Sequence, residues 1–146
     1  MPTWAKVLLG IGCGIGLLVI AGIAAGYFFI NSHKDHWVAE GKKVQDEGRT
    51  YAAGKTANDC VDESIRRLHT AGGILGEVRV RVFLRGCIDA AAESPQLCES
   101  APPRTEFIRS ARWTIDECAR RGMPQSQPCS RVMQELQKYC DTKLHR

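Results

Sequence analysis

The sequence predicts an all-α chain: one N-terminal transmembrane helix, then a small disulfide-stapled domain of the four-helix-bundle kind. Three observations predict it. Residues 7–30 carry no charge and are nearly all Gly, Ala, Val, Leu, Ile or Phe. Six of the seven cysteines lie behind that run, in residues 31–146. The segments between Gly and Pro breaks repeat their apolar residues at helical spacing, and no two of them read as partner strands.

The chain divides into a short tail at 1–6, the span at 7–30, a helix-compatible juxtamembrane stalk at 31–55 and the cysteine-bearing domain at 56–146. At about 1.5 Å per residue the span reaches roughly 36 Å, more than a hydrocarbon core of about 30 Å. Trp4 marks one edge, and Tyr27, Phe28, Phe29 and Trp37 mark the other, as interfacial aromatic belts do. A cleaved signal peptide is the rival reading, with small residues at Gly22-Ile23-Ala24 and Ala24-Ala25-Gly26. The apolar run continues past both sites and exceeds a signal core of roughly 7–15 residues, which favours an uncleaved anchor. A lipoprotein reading of Leu9-Gly10-Ile11-Gly12-Cys13 has too short an apolar stretch before Cys13, and Gly10 stands where a larger aliphatic residue is expected.

Four helices are expected in the domain. The first, about 57–71, has Thr56 or Asn58 as cap, acids in its first turns, bases in its last, and Gly72-Gly73 as its stop. The second, about 74–93, opens on an alternating Val78-Arg79-Val80-Arg81-Val82. That stretch runs straight into Cys87-Ile88-Asp89-Ala90-Ala91-Ala92, so helix is the expectation. The third, about 105–121, would bury Ile108, Ala111, Ile115 and Cys118. The fourth, about 127–144, has Ser126 as cap and Pro128 in its first turn, and would bury Cys129, Val132, Met133, Leu136 and Cys140.

The even set Cys60, Cys87, Cys98, Cys118, Cys129 and Cys140 reads as three disulfides formed in an oxidising compartment. No C-x-x-C occurs, and no histidine lies at ligand spacing from a cysteine, so no metal site is expected. Six cysteines allow fifteen pairings. An up-down-up-down bundle favours Cys60–Cys140, Cys87–Cys98 and Cys118–Cys129. Lysine counting opposes the cysteines on sidedness: Lys34, Lys42 and Lys43 follow the span, while only Lys6 and the α-amino group precede it. That bias rests on so few charges that the cysteines decide, placing the domain outside the cytoplasm, on the periplasmic side in a bacterium.

No catalytic motif, phosphate loop or haem signature is present, and no cofactor is expected. The favoured function is therefore a membrane-anchored protein-interaction module. An enzyme or redox factor, or an anionic-ligand module using Arg81 with Arg85, Arg109 with Arg112, Arg66-Arg67 and Arg120-Arg121, are the alternatives. Nucleic acid is an unsuitable partner for a net charge of only +4 in an oxidising compartment. In the span, Gly12-x-x-x-Gly16 and Gly22-x-x-x-Gly26 are small-residue packing motifs that suit a homodimer or a partner membrane helix. At helical spacing the same face continues through Trp37, Gly41, Val44, Gly48 and Tyr51.

Overall fold

The computed structural model describes residues 3–144, with side chains from Gly14 to Lys143. The described residues form six helices: α1 (Thr3–Tyr51), α2 (Ala57–Thr70), α3 (Gly73–Ala90), α4 (Pro95–Glu99), α5 (Phe107–Arg120) and α6 (Gln127–Leu144). The chain separates into two compact units, Met1–Ala39 and Glu40–Arg146. The second half of the expected stalk therefore belongs to the domain.

In the first unit, α1 from Gly14 onward is long and apolar enough to cross a membrane. Leu17, Leu18, Ile20, Ile23 and Phe28 are all exposed, with no protein packed over them. Gly14, Gly16, Gly22 and Gly26 face open space. The side chains of Trp4, Lys6 and Cys13, and the surroundings of Gly12, lie outside the described residues.

The second unit is built from local signals that agree with its packing. Thr56 caps α2 with a full capping box: the Asp59 amide donates to Thr56 Oγ1 (3.3 Å), and the Thr56 amide donates to Asp59 Oδ2 (2.7 Å). The Ser126 hydroxyl accepts from the Cys129 amide at the start of α6. Gly73, at a φ of +63°, makes the tight reversal from α2 to α3. The alternating Val78–Val82 stretch is helical; its Val80 is buried while Val78 is exposed. Helix α2 packs on α3 and α6, and α6 packs on α3 and α5. Phe83, Leu84, Val61, Val132, Met133 and Leu136 fill the space between them.

The last turns of α1 complete this core. A Cβ on Gly48 would fall onto the Phe83 carbonyl oxygen and lie 2.9 Å from the Cys87 amide nitrogen; one on Gly86 would fall onto the Gln45 carbonyl. Two glycines thus let α1 and α3 touch backbone to backbone. Tyr51 meets Phe83 edge-on at 5.7 Å, and the Arg67 guanidinium lies 3.7 Å from the centroid of the Phe83 ring. The soluble end of the glycine face, Val44 and Gly48, is therefore closed by the chain's own α3.

Helix direction follows from the cross-links. Glu40 pairs with Arg79 (3.2 Å) at the end where the chain enters the unit, and Gly48 meets Phe83 and Cys87 farther on, so α3 runs in the same sense as residues 40–51. Glu77 pairs with Arg131 and Glu93 with Lys143, so α6 runs in that sense too. At the far end, Thr56 and Ala92 form a short parallel bridge, in which the Ala92 carbonyl accepts from the Ala57 amide (2.9 Å) and the Ala92 amide donates to the Lys55 carbonyl (3.0 Å).

Three disulfides join Cys60 to Cys87, Cys98 to Cys140 and Cys118 to Cys129, with Cα separations of 5.7, 5.3 and 5.9 Å. The first two differ from the expected Cys60–Cys140 and Cys87–Cys98. All four of those cysteines do lie at the far end of the unit, so height along the bundle cannot separate the alternatives. The side of each helix decides. Cys60 and Cys87 sit on the facing surfaces of neighbours α2 and α3. Cys98 is carried away from Cys87 on the extra turn α4, which Pro95 starts, and it meets the last turns of α6.

Helix α5 departs from expectation as well. Its buried residues are Trp113, Thr114, Glu117 and Cys118, while Ile108, Ala111 and Ile115 point outward. The Trp113 indole donates to Ser100 Oγ, and the Thr114 hydroxyl donates to the Ser110 carbonyl, so the polar atoms of this inward face are satisfied.

Candidate interaction surfaces

Two features of the second unit bear on function: its arginines and its outward apolar residues. The arginines are mostly committed to carboxylates of the same domain. Glu63, almost buried, accepts from Arg66 (2.8 and 2.7 Å) and Arg67 (2.8 Å), and Arg67 also reaches Glu47 (2.6 Å). Glu135 accepts from Arg81 (2.5 Å) and Arg85 (2.7 Å) across the α3–α6 contact. Buried Glu77 accepts twice from Arg131 (3.0 and 2.9 Å). Glu117 is held by Arg120 and approached by Arg121, which also bonds Asp62. Arg109 bonds Glu106 (2.6 Å). The same-face pair Arg81 and Arg85 is thus a clamp on one carboxylate, and Arg66-Arg67 is another. An anion would have to displace carboxylates that are already close and charge-assisted.

The arginines hold two carboxyls below the usual carboxylate range. For Glu63 the Arg66 hydrogen bond is the main cause, opposed by burial and reinforced by Arg67. For Glu135 burial pushes the carboxyl up, but the bonds from Arg81 and Arg85 together outweigh it and the net direction is down. Glu135 is a fixed anion that joins α6 to α3, whereas Glu63 holds two arginines of its own helix, one of which, Arg67, reaches on to Glu47 of α1.

Among the described residues, the cavities show no reactive constellation. One of about 480 Å³ is lined by Thr56, Asn58, Ser94, Ser100 and the Glu117–Arg120–Arg121 cluster. Its carboxylate is engaged by guanidinium groups, and no histidine or thiolate stands beside its hydroxyls. Among the described residues no group of three or more His, Cys, Asp or Glu is arranged to hold a metal ion. His33 is used locally: its Nδ1 bonds the Phe29 carbonyl at 3.0 Å and its ring stacks on Phe29 at 4.4 Å.

The outward apolar residues form two patches. On α5, Phe107 and Ile108 are 81% and 80% exposed, and Ile115 is 51% exposed. Beside them runs a shallow groove of about 410 Å³ between α5 and α6, floored by Ser110, Thr114 and Gln137. Gln137 Nε2 is already spent on the Pro102 carbonyl and Ser110 Oγ, both at 2.7 Å, so the floor is closed and rigid. The second patch is the α2–α3 reversal, where Ile74 and Leu75 are 76% and 61% exposed. Periodicity found the apolar face of α5 but assigned it to the core. Trp113, the largest side chain of that helix, was the signal that the opposite face is the buried one.

No family model matches the chain, and no curated protein or solved structure matches it.

Proposed function

We propose that this is a single-pass membrane protein displaying a disulfide-stabilised bundle of α2, α3, α5 and α6 outside the cytoplasm, and that the bundle works by binding another protein through α5. The observation that carries the reading is the outward apolar face of α5. Phe107, Ile108 and Ile115 recur at helical spacing with nothing from this chain upon them, beside a groove whose polar floor is already satisfied. Such a face, apolar at its centre and rimmed by Arg104, Arg109 and Gln134, suits an apolar helix of a partner lying along α5. The span supplies the anchor, and its face of Gly12, Gly16, Gly22 and Gly26 suits a second copy or a partner's membrane helix.

The test is affinity purification of the crosslinked, detergent-solubilised full-length protein, with and without Phe107→Ser and Ile108→Ser. These residues carry no internal packing, so the variant should keep its three disulfides and its helicity while losing the co-purifying protein. Equal recovery of the same partner by both forms would refute the α5 reading.

A further inference from the structure

A second exposed apolar feature lies at the opposite end of the bundle from Phe107, and the position of the chain entry gives it a different occupant. Residues 68–76, Leu-His-Thr-Ala-Gly-Gly-Ile-Leu-Gly, contain no Asp, Glu, Lys or Arg. They form the end of α2, the reversal and the first turn of α3. The reversal is tightly built. Gly73 holds a positive φ that strains other residues, and a Cβ on Gly76 would lie 3.2 Å from the Ala71 Cβ. This compact turn pushes Ile74 and Leu75 outward, and Val78 one turn later continues their face.

The tip stands at the end where the chain enters the unit, because Arg79, just behind it on α3, pairs with Glu40. Only residues 31–39 separate Glu40 from the last residue of the apolar run. As helix that connection is roughly 15 Å long, and even extended it reaches only about 36 Å. Chain connectivity alone therefore holds the entry end within that distance of the end of the apolar run. The exposed guanidiniums of Arg66 and Arg79, on the helices either side of the reversal, are held by Glu63 and Glu40, so the contact rests on the apolar side chains of the tip.

We propose that the Ile74–Leu75 tip is a membrane contact: these two side chains insert into the lipid interface of the membrane that holds the span. The inference rests on the membrane-anchored reading above.

The experiment places a photoreactive benzoylphenylalanine singly at Leu75, Phe107 or Tyr27 in the full-length protein, reconstituted in phosphatidylcholine–phosphatidylglycerol vesicles. After irradiation, lipid adducts are counted by mass spectrometry. Tyr27 reports the span. The expected result is lipid adduct at positions 27 and 75, with at least a five-fold excess of 75 over 107. Adduct at 27 with equal, low adduct at 75 and 107 overturns the tip contact and leaves the anchor standing. Crosslinking of position 75 to a second copy instead of lipid overturns it too, in favour of a protein interface. Absence of adduct at 27 removes the anchored reading, and the tip contact with it.

Discussion

At the scale of single residues, the same residue type does opposite things along α1. Gly41 faces open space, whereas Gly48 lies against the α3 backbone. Gly41→Ala should therefore stabilise the domain by up to about 1 kcal/mol, through helix propensity alone. Gly48→Ala should destabilise it by roughly 1–3 kcal/mol, because the added methyl meets backbone atoms that cannot swing aside. Thermal unfolding of the two variants in mild detergent, followed by circular dichroism, separates them; a loss of the same size at both positions would mean that α1 does not pack on α3. The ion-paired carboxylates make a second prediction. Glu63 and Glu135 titrate below their unfolded value of about 4.3, so they release protons on folding and stabilise the fold above that pH. Stability should be flat from pH 7 to 5. It should fall as the pH drops below about 4 and the clamps of Arg66, Arg67, Arg81 and Arg85 lose their anions. Glu63→Gln should flatten part of that fall, as read from denaturation midpoints across the acid range.

At the scale of elements, the disulfides rank by the loops they close. Cys98–Cys140 spans 42 residues, Cys60–Cys87 spans 27 and Cys118–Cys129 spans 11. On the chain-entropy model these constrain the unfolded chain by about 4, 3.5 and 3 kcal/mol. Replacing each pair by two serines, so that no orphan thiol remains, should lower the free energy of unfolding in that order, and a non-reducing peptide map should return only the two remaining pairs. A map linking Cys60 to Cys140 would restore the bundle-end pairing and contradict the fold. The helices themselves were legible in the sequence because their signals are local: Thr56 and Ser126 as caps, Gly72-Gly73 and Pro95 as breaks. The faces were legible only where a helix is apolar on one side. On α6 the stripe from Cys129 to Cys140 settles the matter. On α5 Ile108 and Ile115 form one apolar side, while Trp113 and Cys118 form another. Which of the two is covered depends on a neighbour far away in the chain, and that information is not local. The cysteine pairing failed for the same reason, since it depends on the side of each helix rather than on its order.

At the scale of the whole molecule, the small excess of lysine behind the apolar run and the three disulfides bear oppositely on the proposed orientation, which rests on the disulfides. Lys34 lies just behind the apolar run and holds the Asn31 side-chain oxygen at 2.9 Å, while Lys42 and Lys43 are exposed, so the bias is real but small. Against it stand three bridges, each contributing on the order of 3–4 kcal/mol, in a domain whose net stability is on the order of 5–15 kcal/mol. Cys60, Cys87, Cys118 and Cys129 have no exposed surface at all, so they are part of the core as well as links across it. In a reducing compartment the same chain would bury six thiols in a thin core and lose most of its margin. The orientation proposed above, with residues 40–146 outside the cytoplasm, is the one in which these bridges would persist. A phosphatase joined behind Arg146, which needs an oxidising compartment to fold, should be active, and a reporter that works only in the cytoplasm should be silent at the same point. An impermeant maleimide applied to unreduced cells made permeable at the outer surface should leave the domain unlabelled, then label it fully once a reductant is added. Cytoplasmic reporter activity together with six thiols reactive before reduction would reverse the orientation, and the domain would then have to hold its shape by the ion-paired helices alone.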